Sequence, residues 1–167
     1  MGRDDAGEAF PGGPYVLLHS LSHLLMAELA MECGYPASSL KERIYALPDE
    51  TVGGGPLRCG ILVYTASTGA QGTLGGLVAT ATRIAFTIEA ALQRAMLCSN
   101  DPVCADHTPD KRSGDRASHG AACHGCLLVA ETSCEMRNMF LDRELVVETV
   151  QATGCNFFSL NSDTVTS

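Results

Sequence analysis

Tryptophan is absent from this 167-residue sequence, and aromatic residues make up only 5 % of it. A core must therefore be built from leucine, valine, isoleucine, alanine and methionine. Charged residues are also scarce, at 18 %, whereas hydrophobic residues reach 46 %. This balance is typical of a globular chain and excludes a disordered one. The length is sufficient for one domain with a genuine core.

Positive charge is the second shortage. The sequence has two lysines, Lys41 and Lys111, its arginines are scattered, and the net charge is −8. Phosphate neutralisation supplies most of the affinity of proteins that bind nucleic acid. Autonomous DNA binding is therefore disfavoured, although a local arginine patch remains compatible with these numbers. Docking onto a basic partner fits the charge better.

The sequence also lacks the signals of export and of membrane insertion. Acidic residues near the start, such as Asp4 and Glu8, do not fit a secretory leader. The apolar stretch at 16–31 contains His19 and His23, so we expect it not to cross a membrane. We therefore expect a cytoplasmic protein, in which cysteines are thiols and metal ligands, not disulfides.

The apolar pattern predicts a single α/β domain over residues 15–155, between a flexible lead-in at 1–14 and a tail at 156–167. The domain is expected to have a buried strand core, a long central helix and a structural zinc knuckle. A first helix should begin near Tyr15 and end at Gly34, where a left-handed cap is unstrained.

Further elements follow from local patterns. The capping-box spacing after Ser39 predicts a short helix, and a β-branched apolar run predicts a strand buried on both faces. Three-residue and four-residue spacing predicts a long helix and then a largely helical segment. In chain order these are a helix at 39–46, a strand at 59–65, a helix at 77–96, an exposed loop at 105–119, a helical segment at 127–145 and a strand around 146–150.

Five of the eight cysteines lie within 37 residues, and their spacing predicts a zinc site. Zinc takes four soft ligands in a tetrahedron, and a Cys-x-x-Cys turn supplies two thiolates from one tight loop. A second pair closes the site, which gives one zinc per chain. The predicted ligands, called here the four-cysteine cluster, are Cys98, Cys104, Cys123 and Cys126. Cys134 is an alternative fourth ligand in place of Cys98. His107, His119 and His124 are possible substitutes, or groups that hydrogen-bond to the ligands from outside.

Other interpretations of the cysteines remain open. A redox Cys-x-x-Cys should start a helix directly after a strand, but a charged loop precedes Cys123. Haem attachment would need histidine after the second cysteine, where Leu127 stands. Buried thiols without metal are also possible. The isolated cysteines are expected to be ordinary core residues; they are Cys33, Cys59 and Cys155.

A glycine-rich turn after the predicted strand is a candidate anion site, because free amides at a helix start can accept phosphate. Its residues are Gly72, Thr73, Gly75 and Gly76. It lacks the spacing and the Lys-Ser/Thr end of a P-loop. The alternative is that these glycines only allow strand, turn and helix to pack closely.

Two further groups have both a chemical and a structural interpretation. His19 and His23 have the spacing of a metal-binding pair on one helical turn, but the glutamate that a metalloprotease requires after the first histidine is replaced by Ser20. A helix-packing pair is the favoured interpretation. The run Asp142-Arg143-Glu144 is expected to form a solvated or interhelical ion pair.

An ordered series of motifs resembles the C-terminal conserved region of DrmB proteins, which belong to the DISARM anti-phage system. The motifs include His19-Ser-Leu-Ser-His23, Gly60-Ile-Leu-Val-Tyr64, Cys98-Ser-Asn-Asp-Pro-Val-Cys104, Ala122-Cys-His-Gly-Cys126 and Glu131-Thr-Ser-Cys-Glu135. A related module is the zinc-binding C-terminal part of MrfA-type DNA-repair helicases. The resemblance runs from about residue 15 to residue 150, whereas DrmB proteins are several times longer.

The resemblance implies a zinc-binding, non-catalytic accessory subunit that pairs with a superfamily-2 helicase of the DrmA type, or with the rest of a DrmB-like protein, and that meets DNA through this complex. Two other functions are kept beside it. One is a phosphoester-processing enzyme that uses the glycine-rich turn with His19 and His23. The other is a nucleic-acid-binding module with an arginine patch.

Overall fold

The computed structural model describes residues 10–47, 58–65, 75–107, 120–150 and 152–159. It contains four α-helices within these ranges: α1 at Gly13–Cys33, α2 at Gly75–Ala81, α3 at Ile84–Ala95 and α4 at Pro102–Ala105. Two strands, β1 at Leu40–Leu47 and β2 at Arg58–Thr65, pair antiparallel. Single 3₁₀ turns lie at Ala37–Ser39 and Arg143–Leu145. The predicted α/β single domain is thereby confirmed.

Helix α1 is the centre of the domain. It contacts both strands, α2 and α3, and its leucines form one core with α3 and the segment 127–147. Pro14 lies in its first turn, and Gly34 ends it in the left-handed conformation, with φ of 68°, as the sequence predicted. By length and composition α1 is the one described helix that could cross a membrane, but 61 % of that window is buried inside the domain.

Strand β1 replaces the short helix predicted at 39–46, and that prediction was wrong. Its side chains alternate, with Leu40, Glu42 and Ile44 buried and Arg43 and Tyr45 exposed. Ser39 does not cap a helix but ends the preceding 3₁₀ turn, where its hydroxyl donates to the Pro36 carbonyl. The polar Glu42 at an inward position hid the alternation in the sequence.

Strand β2 is where the sequence predicted it, but it is not buried on both faces. Ile61 and Val63 pack towards α1 and its core, whereas Leu62 and Tyr64 are exposed. Two strands make a sheet with one covered face, so half of β2 remains in solvent.

The long helix predicted at 77–96 is divided into α2 and α3. The hydroxyls of Thr80 and Thr82 donate to the carbonyls of Leu77 and Ala79, three residues back. Such local bonds compete with the helical ladder. Arg83 after the break forms an ion pair with Glu32 of α1.

The helical segment predicted at 127–145 was also wrong, because the chain there is a series of turns that ends in one 3₁₀ turn. Arg137, Asn138 and Phe140 have positive φ angles of 52°, 63° and 58°, which a right-handed helix cannot accommodate. Instead of a strand near 146–150 there is a single bridge between Val147 and Phe158.

Several predicted segments lie outside the described residues. These are most of the lead-in, Gly72 and Thr73, residues 108–119 of the predicted loop and the end of the tail.

Candidate metal centres

The four cysteines predicted as ligands lie together. The Sγ atoms of Cys98 and Cys123 are 3.4 Å apart, and the Sγ of Cys126 lies 3.6 Å from those of both Cys104 and Cys123. All four sulfurs lie within 4.8 Å of one another. Sulfurs around a tetrahedral zinc are separated by about 3.8 Å, given a zinc–sulfur bond near 2.3 Å. The observed separations are close to this value, so the four sulfurs fit one zinc ion. They are far longer than a disulfide bond, so the cysteines are not paired as disulfides.

Three parts of the chain supply these thiols. Cys98 follows the end of α3, Cys104 lies in α4, and the knuckle turn at 123–126 supplies the other two. The Asp101 carboxylate caps α4 by accepting hydrogen bonds from the amides of Val103 and Cys104.

The knuckle turn is held by its own amides. The Cys123 amide donates to the Cys126 Sγ at 3.3 Å, and the Cys123 carbonyl accepts from the amides of residues 126–128. Position 125 must be glycine because a side chain there would overlap Asn100. The Cys-x-x-Cys spacing in the sequence was sufficient to predict this turn.

A buried arginine lies beneath the four-cysteine cluster. Arg143 is 1 % exposed, and its guanidinium donates to the carbonyls of Ala95 at 2.7 Å and Cys104 at 3.3 Å. The predicted solvated or interhelical ion pair at 142–144 was thus wrong for Arg143. The buried Glu144 instead pairs with His107, at 3.1 Å. His107 is therefore not a substitute ligand of the four-cysteine cluster.

The thiols of the cluster are electrostatically coupled. The hydrogen bond between Cys104 and Cys126 lowers the pKa of Cys126 to about 5 and raises the pKa of Cys104. Arg143 contributes to the lowering at Cys126. Burial raises the pKa of Cys123 to about 11. Several negative sulfurs cannot coexist here without a cation, which is the role that zinc fills.

A second buried cluster was not predicted. We call it the His–Glu–Cys cluster, and its four donor atoms also lie within 4.8 Å of one another. Its members are His19, His23, Glu42 and Cys134.

The structure thus separates Cys134 from the other cysteines, so it is not the alternative fourth ligand there. The His19 Nε2 lies 3.1 Å from the Cys134 Sγ and 3.0 Å from Glu42 Oε1. The His23 Nε2 is also 3.0 Å from Glu42 Oε1. The helical spacing of His19 and His23 indicated that these two side chains lie together. The sequence predicts Glu42 in a helix, so it gave no indication that Glu42 meets them.

Strong electrostatic interactions hold this second cluster. Burial disfavours charge on each group, but the hydrogen bonds to Cys134 and Glu42 raise the pKa of His19 to about 9. In the same way, hydrogen bonds from the histidines outweigh burial and lower the pKa of Cys134 to about 7. They also hold the pKa of Glu42 well below its usual range. The two negative groups therefore require positive charge inside the core, which protons on the histidines or a metal ion can supply.

The glycine-rich turn and the three isolated cysteines do not form a further site among the described residues. Gly76 packs closely against Tyr35 and Cys33, which agrees with the packing interpretation of the glycine-rich turn. The prediction that Cys59 and Cys155 belong to the core was wrong, because both are exposed, and Cys33 is half-buried.

The part of the sequence that contains the four-cysteine cluster matches a known family. The family model of the MrfA Zn-binding domain, MZB, matches residues 21–127. That range contains all of the four-cysteine cluster and most of the described fold. The chain therefore belongs to the MZB family of zinc-binding domains, and zinc is its expected cofactor as the sequence predicted.

A particular relative is also identified. The chain is 42 % identical over 146 residues to the DISARM protein DrmB of Bacillus paralicheniformis. The matched region covers 86 % of this chain and 24 % of that protein. The chain therefore spans about a quarter of the length of its curated relative, and the predicted resemblance to DrmB proteins is confirmed.

Proposed function

We propose that this chain is a zinc-scaffolded, non-catalytic accessory domain of a DISARM-type anti-phage defence complex. The observation that carries the proposal is the convergence of four thiols into one site, from the segment after α3, from α4 and from the knuckle turn. Four thiolates fill the tetrahedral shell of zinc and leave no position for an activated water. Zinc at this position holds elements together and does not hydrolyse a substrate.

The exposed face of the β1–β2 sheet supports a docking role. Tyr45, Leu62 and Tyr64 are each between 42 and 48 % exposed on this outer sheet face. Apolar side chains grouped on one face are typical of a surface that another polypeptide covers. The occupant that we propose is the remainder of a DrmB-like protein, to which a DrmA-like helicase of superfamily 2 is joined.

The same face is a poor candidate for DNA. Lys41 donates to the Thr132 carbonyl at 2.8 Å, and Arg43 lies 3.7 Å from a Glu135 carboxylate oxygen. Two of its cations therefore have partners within the domain, and the whole chain carries −8. DNA is met through the complex and not through this domain alone.

The enzymatic alternative is not supported by the geometry. His19 and His23 are fully buried, so no phosphoester can reach them. The glycine-rich turn leads to Gly76 beside Cys33, and ten helical residues between positions 23 and 33 correspond to about 15 Å. Gly76, a described end of the turn, therefore lies away from the two histidines.

Co-purification tests the docking proposal. The chain is expressed with the missing part of DrmB and with the DrmA-like helicase, and complex formation is measured by size-exclusion chromatography. Leu62→Glu is expected to abolish the complex, whereas Val150→Glu, at a position 71 % exposed elsewhere, should leave it intact. A complex that survives Leu62→Glu contradicts docking through the outer sheet face.

A further inference from the structure

We propose that the His–Glu–Cys cluster is a second metal site, which takes a divalent transition-metal ion and fits zinc best. It is independent of the four-cysteine cluster and shares no ligand with it. The site is closed by the fold on all sides, since its two histidines are 0 % exposed. Its role is structural, as it joins helix α1 to strand β1 and to the turns near residue 134.

The direction of the histidine rings is the first argument. The Nδ1 of His23 lies 2.8 Å from the Leu127 carbonyl, and that of His19 lies 3.3 Å from the Phe140 carbonyl. A carbonyl only accepts, so both Nδ1 atoms carry the proton. A neutral ring then presents the lone pair of its Nε2 to the cluster. Metal-bound histidines are oriented in this way, with the rear nitrogen bonded to a carbonyl.

The second argument is that acceptors converge without a donor. Both Nε2 atoms point at Glu42 Oε1, and that of His19 also faces the Cys134 Sγ. Lone pairs that face one another in a dry interior repel unless a cation lies between them. The second carboxylate oxygen of Glu42 is buried and has no hydrogen-bond partner among the described residues, and it is available to a metal ion.

Charge balance is the third argument. One carboxylate and one thiolate neutralise a divalent cation, so the site with a metal has no net charge in the core. Two extra protons, one on each histidine, would balance the same negative charges. The protonated, metal-free cluster is therefore the state that competes with metal binding. The donor set of two imidazoles, one thiolate and one carboxylate suits zinc and does not suit magnesium or calcium.

The turn around Cys134 is built to hold a thiolate. The amides of Met136 and Asn138 donate to the Cys134 Sγ at 3.3 and 3.1 Å. The positive φ angles of Arg137 and Asn138 bend the chain so that these amides face the sulfur. Two such hydrogen bonds stabilise a negative sulfur in a protein interior, whereas the knuckle turn supplies one, from the Cys123 amide, to Cys126.

The first experiment uses the unaltered chain, purified without added metal. Elemental analysis should find two zinc ions per chain, and X-ray absorption at the zinc edge should show sulfur together with imidazole nitrogen. One zinc with sulfur neighbours alone overturns the proposal. One zinc with mixed sulfur and imidazole neighbours supports it and contradicts the four-cysteine site. This measurement requires no variant to fold.

Variants then assign the ions. Cys134→Ser and Glu42→Gln should each lose one zinc and all imidazole scattering, and retain a sulfur-only site. Cys33→Ser, at a half-buried cysteine outside both clusters, is the control and should retain two zinc ions. A Cys134→Ser protein that keeps both ions and the imidazole signal overturns the proposal.

Discussion

Single buried polar residues carry much of this domain's organisation. Arg143 is the clearest example, because its guanidinium contacts carbonyls at the end of α3 and in α4, directly under the four-cysteine cluster. A zinc ion with four thiolates has a net charge of −2, and the buried guanidinium offsets part of it. The Arg143 side chain therefore donates hydrogen bonds to two backbone carbonyls and also offsets negative charge at the metal site.

Arg143→Gln is expected to lower the free energy of unfolding by at least about 2 kcal/mol, because two buried carbonyls lose their donor. Zinc affinity should fall as well, since the compensating positive charge is removed. Urea unfolding and competition with a chelator measure the two effects. Arg58→Gln, at an exposed position of β2, is the control and should change neither; equal losses in both variants would refute the special role of Arg143.

Gly125→Ala is expected to destabilise the domain by about 1–3 kcal/mol, through overpacking. The added methyl group would overlap the Asn100 side chain, including its Cβ, which cannot swing away as the end of a flexible side chain could. Adding Asn100→Gly should restore part of the loss, as thermal unfolding of the single and double variants would reveal. The methyl group of Gly60→Ala would meet no atom of the described residues within 4 Å, so this variant serves as the control. Full stability of Gly125→Ala would show that the knuckle turn relaxes freely.

At the scale of elements, the part of the domain around the four-cysteine cluster has little regular secondary structure. α4 has only 4 residues, and the segment 120–150 consists of turns. Such segments bury too little surface to be stable alone. The four-cysteine cluster connects them to α3, and the hydrogen bonds of residues 120–121 with 141–143 complete the connection.

Cys126→Ser is therefore expected to unfold the domain or to lower its melting temperature strongly. The apparent binding free energy of a structural zinc is on the order of 10 kcal/mol, which is comparable with the whole stability of a domain. Cys123→Ser should act alike, while Cys155→Ser, at an exposed cysteine, should cost little. An unchanged melting temperature of Cys126→Ser, measured by circular dichroism, would mean that this thiol is not a ligand.

The alternation of β1 also gives a prediction. Ile44→Ala should cost about 2–4 kcal/mol because the side chain is 7 % exposed on the inner face. Tyr45→Ala removes a larger side chain from the outer sheet face and should cost much less in the isolated domain. Chemical denaturation compares the two, and the reverse order would place the opposite face of β1 in the core.

At the scale of the whole molecule, the distribution of charge and apolar surface determines what the domain can bind. A chain with a net charge of −8 repels phosphate, and its outer sheet face combines apolar residues with cations that already have partners. These properties support the accessory role proposed above.

The isolated domain is accordingly expected to bind single-stranded and double-stranded DNA more weakly than about 1 μM at moderate salt, as non-specific binding does. Fluorescence anisotropy at low and moderate salt, with and without the DrmA-like helicase, tests this expectation. Tight binding by the domain alone, or metal-dependent cleavage of the DNA, would contradict the accessory role.

The sequence by itself determined the features that depend on neighbouring residues. Gly34 ends α1 because glycine adopts the left-handed conformation without strain. The β-branched run of β2 forms a strand as predicted, and the Cys-x-x-Cys spacing brings two thiols together within one turn. These outcomes need no information about distant segments.

Only the tertiary structure decided the features whose partners lie far away in the chain. Glu42 is on a strand and not a helix because its carboxylate meets two histidines of α1. Residues 134–140 are turns because their amides and carbonyls bond Cys134 and His19, the latter more than a hundred residues earlier. Buried polar groups must find partners wherever the fold places them, and this requirement overrides the local helical periodicity from which these segments were predicted.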